Sequence, residues 1–249
     1  MILALDIGNT NIKTGYFIKN ELDDFVIFRN PDELFESLKH YDFNEAAISY
    51  VVPALTERVK QFLKEELKIT PYIISKDSLF NLKLDYQTPE TLGIDRICSA
   101  EAAFNIFNID KEINKETYLL TIDFGTATTI NITVPPCNFI GGLIAPGINT
   151  MFNSLNSKTA QLPGLNFSDY KSLIGKDTNS SIASGIITTT VGMIEKTINH
   201  LKEKYGAKDI KCFITGGNVK QVQQFLPEDF IYDEALVLKG VISVYNLNR

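Results

Sequence analysis

The chain has 249 residues, 44% hydrophobic and 22% charged, with a formal net charge of −6. That balance excludes a disordered chain and leaves room for one large α/β domain or two smaller ones. The acidic excess argues against a nucleic acid or a membrane surface as a general partner, because both call for a basic face. The N-terminus from Met1 to Asp6 lacks a basic n-region, and no run of ~18 apolar residues could span a bilayer, so a soluble cytoplasmic protein is expected.

In chain order, Ile2 to Leu5 and Ile12 to Ile18 read as strands joined by the turn Gly8-Asn9-Thr10-Asn11. A β-prone run follows at Phe25 to Phe28. Pro31 then opens a helix with Leu34, Phe35 and Leu38 on one face. Ala46 to Val52 is a buried-type strand, Pro53 to Leu67 a second helix, and Tyr72 to Ile74 another strand. Leu79 to Leu92 is polar and turn-like, and a helix runs from about Asp95 through Phe107. The charged stretch Asn108 to Glu116 breaks the pattern and sets a boundary between domains 1–115 and 116–249. The second half begins with a strand at Tyr118 to Ile122, a turn at Gly125 to Ala127, and a strand through Val134. A long helical region spans about Ser180 to Tyr205. After it come a strand at Cys212 to Thr215, a turn at Gly216-Gly217, and helices at Val219 to Phe225 and from Glu234 onward. Strands alternating with helices predict α/β layers.

Leu3-Ala4-Leu5-Asp6-Ile7-Gly8-Asn9-Thr10 parallels Leu120-Thr121-Ile122-Asp123-Phe124-Gly125-Thr126-Ala127. About one Asp-x-Gly tripeptide arises by chance in a chain of this length. Two copies, each ending an apolar strand and entering a hydroxyl-rich hairpin, indicate a duplicated unit. Glycine lets such a turn approach a ligand, its N–H and hydroxyl groups donate to phosphate oxygens, and the aspartates suit a charge-balancing cation. Ordinary hairpins with Asx-type turns are the plain alternative. The sequence GxxxxGK[ST] is absent, so a nucleotide would be held by these paired loops rather than by a P-loop.

Gly93 precedes a helix and places Asp95 and Arg96 near its N-terminus. Asp95 suits a base for a substrate hydroxyl, and Arg96 an anionic substrate group or a transferring phosphate. Equally, Asp95 could complement the helix dipole with Arg96 as its ion-pair partner. Gly141-Gly142-Leu143-Ile144-Ala145-Pro146-Gly147 and Phe213-Ile214-Thr215-Gly216-Gly217-Asn218 bring glycine-rich backbone that lines a site or simply turns. His40 and His200 read as surface residues, which leaves a carboxylate as the base. The scattered Cys98, Cys137 and Cys212 form neither a disulfide framework nor a metal pair, and read as small, partly buried side chains.

Together these segments resemble the type III pantothenate kinases of the acetate-kinase, sugar-kinase, Hsp70 and actin superfamily. The matching segments are Asp6 to Lys13, Gly93 to Arg96, Asp123 to Thr129, Gly141 to Gly147, Thr159-Ala160-Gln161-Leu162-Pro163 and Thr215 to Asn218. The resemblance implies two RNase-H-like (actin-like ATPase) domains with mixed sheets and ATP in the cleft between them. It implies ATP-dependent phosphorylation of pantothenate, with Asp95 as proton acceptor. Tyr86, Gly93, Ile94, Asp95, Arg96 and Thr178 would bind pantothenate. Asp6, Ile7, Gly8, Asn9, Thr10, Asn11, Ile12, Lys13 and Thr126 would bind ATP, accompanied by Mg²⁺. Asp123 would hold a monovalent cation (K⁺ or NH₄⁺), and the protein would be a homodimer with the pantothenate site near the interface. One departure is Asn131, where the family carries an acidic residue; Asn keeps the shape and loses the charge. The alternatives are a kinase for a sugar or short-chain acid, and a regulatory protein that kept the fold without catalysis.

Overall fold

The computed structural model describes residues 1–108, 116–158 and 167–249, without the side chains of 156–158. The segment 159–163 named above lies outside them. Two compact units are present. The first is Met1–Asn114 with Pro136–Ile140 and Ala235–Arg249, and the second is Lys115–Pro135 with Gly141–Glu234.

In the first unit, β1 (Ile2–Ile7), β2 (Ile12–Ile18) and β3 (Glu21–Phe28) form an antiparallel meander. Helix α1 (Pro31–Leu38) begins with Pro31, whose fixed φ suits a first helical position, and with the Asn30 side chain accepting from Asp32 N at 2.9 Å. β4 (Glu45–Tyr50), α2 (Pro53–Glu65) and β5 (Tyr72–Ile73) follow, and the sheet order is β3-β2-β1-β4-β5. Leu3, Leu5, Ile7, Leu34, Leu38, Ile48, Val59 and Leu63 form one buried cluster. The stretch read as turn-like contains a short strand, β6 (Lys83–Leu84), and a 3₁₀ turn at Pro89–Thr91. Helix α3 (Ile94–Asn108) comes next and is buried on nearly every face, as its run of Ile97, Cys98, Ala100, Ala102, Ala103 and Phe104 requires.

The second unit holds β7 (Thr117–Phe124), β8 (Ala127–Val134), β9 (Asn138–Pro146) and α4 (Ile148–Lys158). Next come α5 (Thr178–Tyr205), β10 (Asp209–Thr215), α6 (Val219–Val222) and β11 (Ile231–Tyr232). Its strand order, β9-β8-β7-β10-β11, repeats that of the first sheet. The senses repeat as well: β7–β8 is antiparallel like β1–β2, and β7–β10 and β10–β11 are parallel like β1–β4 and β4–β5. Asp6 and Asp123 occupy equivalent places, paired in register with Ser49 and Thr215 respectively. The duplication read from the two Asp-x-Gly segments is thus a duplication of topology. The first residues of β9, Asn138 and Phe139, pair with β6 and belong to the first unit.

The last helix, α7 (Leu236–Asn248), returns to the first unit and packs on β1 and α3. Gly240 lies directly against α3, where a β-carbon would overlap the Cys98 carbonyl. Gly240→Ala is therefore expected to lower unfolding stability by ~1–3 kcal/mol, the usual size of core overpacking, which urea denaturation would measure. An unchanged midpoint would mean that the two helices part freely. No helix among the described residues is long and apolar enough to cross a membrane.

Candidate active site

In the first unit, β1 ends at Asp6 and Ile7, and the chain turns through Gly8, whose N–H donates to Asn11 O at 3.0 Å. A β-carbon on Gly8 would stand 3.1 Å from that oxygen, which accounts for glycine in so tight a turn. Asn9 and Thr10 are exposed at the tip and Lys13 is half-buried, whereas Ile7 and Ile12 point into the core and hold the turn in place. Asp6 is only 8% exposed, and the Ser49 hydroxyl donates to its Oδ1 at 3.2 Å. Ser49 escapes a reading by motif, because its partner lies 43 residues away on a neighbouring strand.

Asp95 and Arg96 occupy the first turn of α3. Gly93 has a specific task there, since a β-carbon at that position would run into Asp95 Oδ1. The glycine leaves room for the carboxylate to fold back over the helix start. Ile94 is buried beneath it. Arg96 is 6% exposed, and its guanidinium lies 5.9 Å from the ring centres of both Tyr86 and Phe139. Tyr86 was expected here from the sequence. Phe139 was not, because it arrives on β9 from a distant part of the chain. The two rings are 6.3 Å apart and hold the guanidinium by cation–π attraction.

The Cys98 thiol on α3 is fully buried. Burial pushes that thiol well above its usual range, and the negative charges of Asp6, Asp95 and Glu101 push it further, against a hydrogen bond with Ser49. Helix α7 packs on both β1, which leads into the phosphate-type turn, and α3, which bears the candidate base, so one helix of the first unit holds the two.

The second unit builds a matching turn. Gly125 N donates to Ala127 O at 3.0 Å, leaving Asp123 half-buried and Thr126 exposed at the tip. Two glycine-rich segments brace it. Gly147 N and Thr150 Oγ1 donate to Thr126 O at 2.9 and 2.6 Å. Asn218 donates from N to Phe124 O and from Nδ2 to Gly125 O, both at 3.0 Å, and Asn149 Nδ2 donates to Asn218 Oδ1 at 2.9 Å. Gly216 has φ of 104°, and a β-carbon there would collide with Asp123 Oδ1. Asn131 is buried and donates to Thr121 Oγ1 at 3.1 Å, so the neutral side chain is used inside the sheet. Thr178 is the exposed first residue of α5, next to the Asp177 cap, whose carboxyl is held below its usual range by the Ser180 N–H.

Among the described residues no group of three or more His, Cys, Asp or Glu is close enough to hold a metal ion alone. Mg²⁺ that accompanies a nucleotide asks for less: one or two carboxylates, with phosphate and water oxygens completing its shell. Asp6 in the first turn fits that demand. Asp123 holds its Oδ1 against Gly216 beside the second turn.

Paired Asp-bearing turns on duplicated mixed sheets are the framework expected of the actin-like ATPase fold. Solved structures agree on the fold. A Campylobacter jejuni protein of the Baf family superposes with a TM-score of 0.66 at 21% identity, over 98% of this chain and 97% of its own. A glucokinase from an Antarctic psychrotroph gives a TM-score of 0.51 at 13% identity, over 98% of each chain. The profile of the type III pantothenate kinases matches residues 2–200. A type III pantothenate kinase of Sulfurihydrogenibium is 33% identical over 97% of this chain and 98% of its own, and one of Thermosipho africanus is 32% identical over 98% of each. The chain belongs to the type III pantothenate kinase family, whose activity is the ATP-dependent phosphorylation of pantothenate in coenzyme A biosynthesis. That membership favours pantothenate over a sugar as the acceptor, and an enzyme over a regulatory protein.

Proposed function

We propose that Asp95 is the general base of this reaction. The observation that carries the assignment is the place of its carboxylate: folded over Gly93, half-buried, and next to a buried arginine. Asp95 takes the proton of pantothenate's primary hydroxyl as that oxygen attacks the γ-phosphorus of ATP. The new O–P bond forms in line with the breaking bond to the β,γ-bridging oxygen, giving 4'-phosphopantothenate and ADP. Gly93 to Arg96, Tyr86 and Thr178 form the pantothenate site, in which Arg96 supplies positive charge for an anionic substrate. Asp6 to Lys13 and Thr126 bind ATP through backbone N–H groups and hydroxyls. Bound Mg²⁺ and a monovalent cation (K⁺ or NH₄⁺) would neutralise phosphate charge, with Asp6 and Asp123 as their respective carboxylates.

The active form is taken as a cytoplasmic homodimer. Supporting the dimer, Leu173 and Ile174 are 62% and 73% exposed beside a groove of α5 lined by Ser181, Gly185 and Thr188. Thr178 opens the same helix, which suits a pantothenate site close to the interface. A coupled ADP-release assay tests the core of this reading. ADP should form with ATP, Mg²⁺ and pantothenate, and the rate should fall at least ~10-fold when K⁺ and NH₄⁺ are replaced by a large organic cation, as for loss of an electrostatic stabiliser. Equal rates in both buffers would remove the monovalent cation and its Asp123 site.

A further inference from the structure

We propose that Glu101 is a positioning residue, fixing the segment that carries Tyr86 to the helix that carries Asp95 and Arg96. The inference rests on the assignment of Tyr86 and Arg96 to pantothenate above. Glu101 lies in the middle of α3 and is 0% exposed. A carboxylate removed from water must be satisfied by donors on both oxygens. Here Oε1 accepts from Asn81 N at 3.1 Å, Asn81 Nδ2 at 2.6 Å and Asn105 Nδ2 at 3.2 Å, and Oε2 accepts from Leu82 N at 3.2 Å.

Two of those donors are backbone N–H groups just before β6, so the side chain stands in for a strand partner. From Leu82 the chain enters β6, where Lys83 N donates to Cys137 O and Asp85 N to Phe139 O, both at 2.9 Å. One residue later the Tyr86 ring meets the Arg96 guanidinium. Helix α3 thus grips residues 81–86 at both ends, through Glu101 and through Arg96. Those two anchors are five residues apart, a rise of ~7.5 Å along the helix. Upstream, Asn248 on α7 pins Leu79 by bonds of 2.8 Å to its N–H and 3.0 Å to its carbonyl. Little slack remains, so the bonds to Glu101 set where Tyr86 stands relative to Arg96. Glutamine at 101 could accept on one oxygen only and would turn an amide N–H₂ toward a backbone donor.

The test is steady-state kinetics of the full-length enzyme in both substrates, for Glu101→Gln, Asn81→Ala and Tyr86→Ala. Glu101→Gln should raise the KM for pantothenate about 10-fold, the effect of one displaced hydrogen bond, and leave the KM for ATP unchanged. Asn81→Ala should give a smaller rise of the same kind, since Asn81 is exposed and its backbone bond survives. A purely structural role would lower the amount of folded enzyme, and hence the maximal rate, without that selectivity. Should Glu101→Gln fail to fold, Asn81→Ala decides by the same criterion. Pantothenate KM unchanged in the folded variants, or both KM values rising together, overturns the proposal. A raised pantothenate KM in Tyr86→Ala upholds the underlying site assignment independently. An unchanged value there overturns that assignment, and the positioning role with it.

Discussion

Asp95→Asn is expected to lower kcat by ~10²–10⁴-fold, the usual contribution of a positioned general base. The substitution is close to isosteric. The side chain can still fold back over Gly93, the start of α3 keeps its shape, and the neighbouring Arg96 stays between Tyr86 and Phe139. What disappears is the basic carboxylate oxygen assigned to take the hydroxyl proton. ATP affinity should stay nearly unchanged, because the nucleotide is assigned to other residues. A stopped assay at saturating ATP and pantothenate, paired with nucleotide binding by calorimetry, separates the two effects. Full turnover in the variant would strip Asp95 of its role. Equal loss of turnover and of ATP binding would point to a disturbed helix start instead.

Asp6→Asn is the second large expected effect, a fall of ~10²–10³-fold in kcat, as for removal of one preorganised electrostatic stabiliser. Asparagine can keep the hydrogen bond from Ser49 by presenting its carbonyl oxygen, so the strand and the Gly8 turn should survive. Only the charge is lost, at a position 8% exposed where water cannot replace it. The loss should be measured at several Mg²⁺ concentrations. Partial recovery at high Mg²⁺ would agree with a carboxylate that holds the ion. A variant with wild-type turnover at low Mg²⁺ would exclude Asp6 from charge stabilisation.

Much of this architecture was legible because its signals are local. The two Asp-x-Gly turns could be recognised as a pair since strand, acid, glycine and hairpin all fall within about ten residues, and the matching sheet orders confirm what that repeat implied. Pro31 and Pro53 marked helix starts for the same reason. β9 was harder. Gly141 and Gly142 look like a turn, yet they lie within a strand, Gly141 with φ of 106° and Gly142 so close to β8 that a β-carbon would strike the Ile130 carbonyl. Glycine here serves close backbone approach, and the glycine-for-turn rule misleads.

The candidate site shows the same division. Asp6, Asp95 and Asp123 stand in recognisable segments. Ser49, Phe139 and Glu101 do not, because each earns its place through a contact with a distant stretch of chain. Glu101 did leave a trace: an acid in the middle of α3, inside the apolar and small run from Ile97 to Phe104, and so in need of buried partners. Nothing in the sequence of α7 says which of two similar sheets it will cover.

The return of α7 to the first unit bears on how the molecule is made. A ribosome releases β1, its neighbouring strands and α3 early, but the helix that packs on β1 and α3 is translated only after the second unit. The nascent first unit must therefore wait with an apolar face uncovered while the second unit emerges and can pack on itself. Helix α3 acquires this neighbour only once the second unit has been made, so loss of α7 would leave the first unit unfinished however well the second had folded.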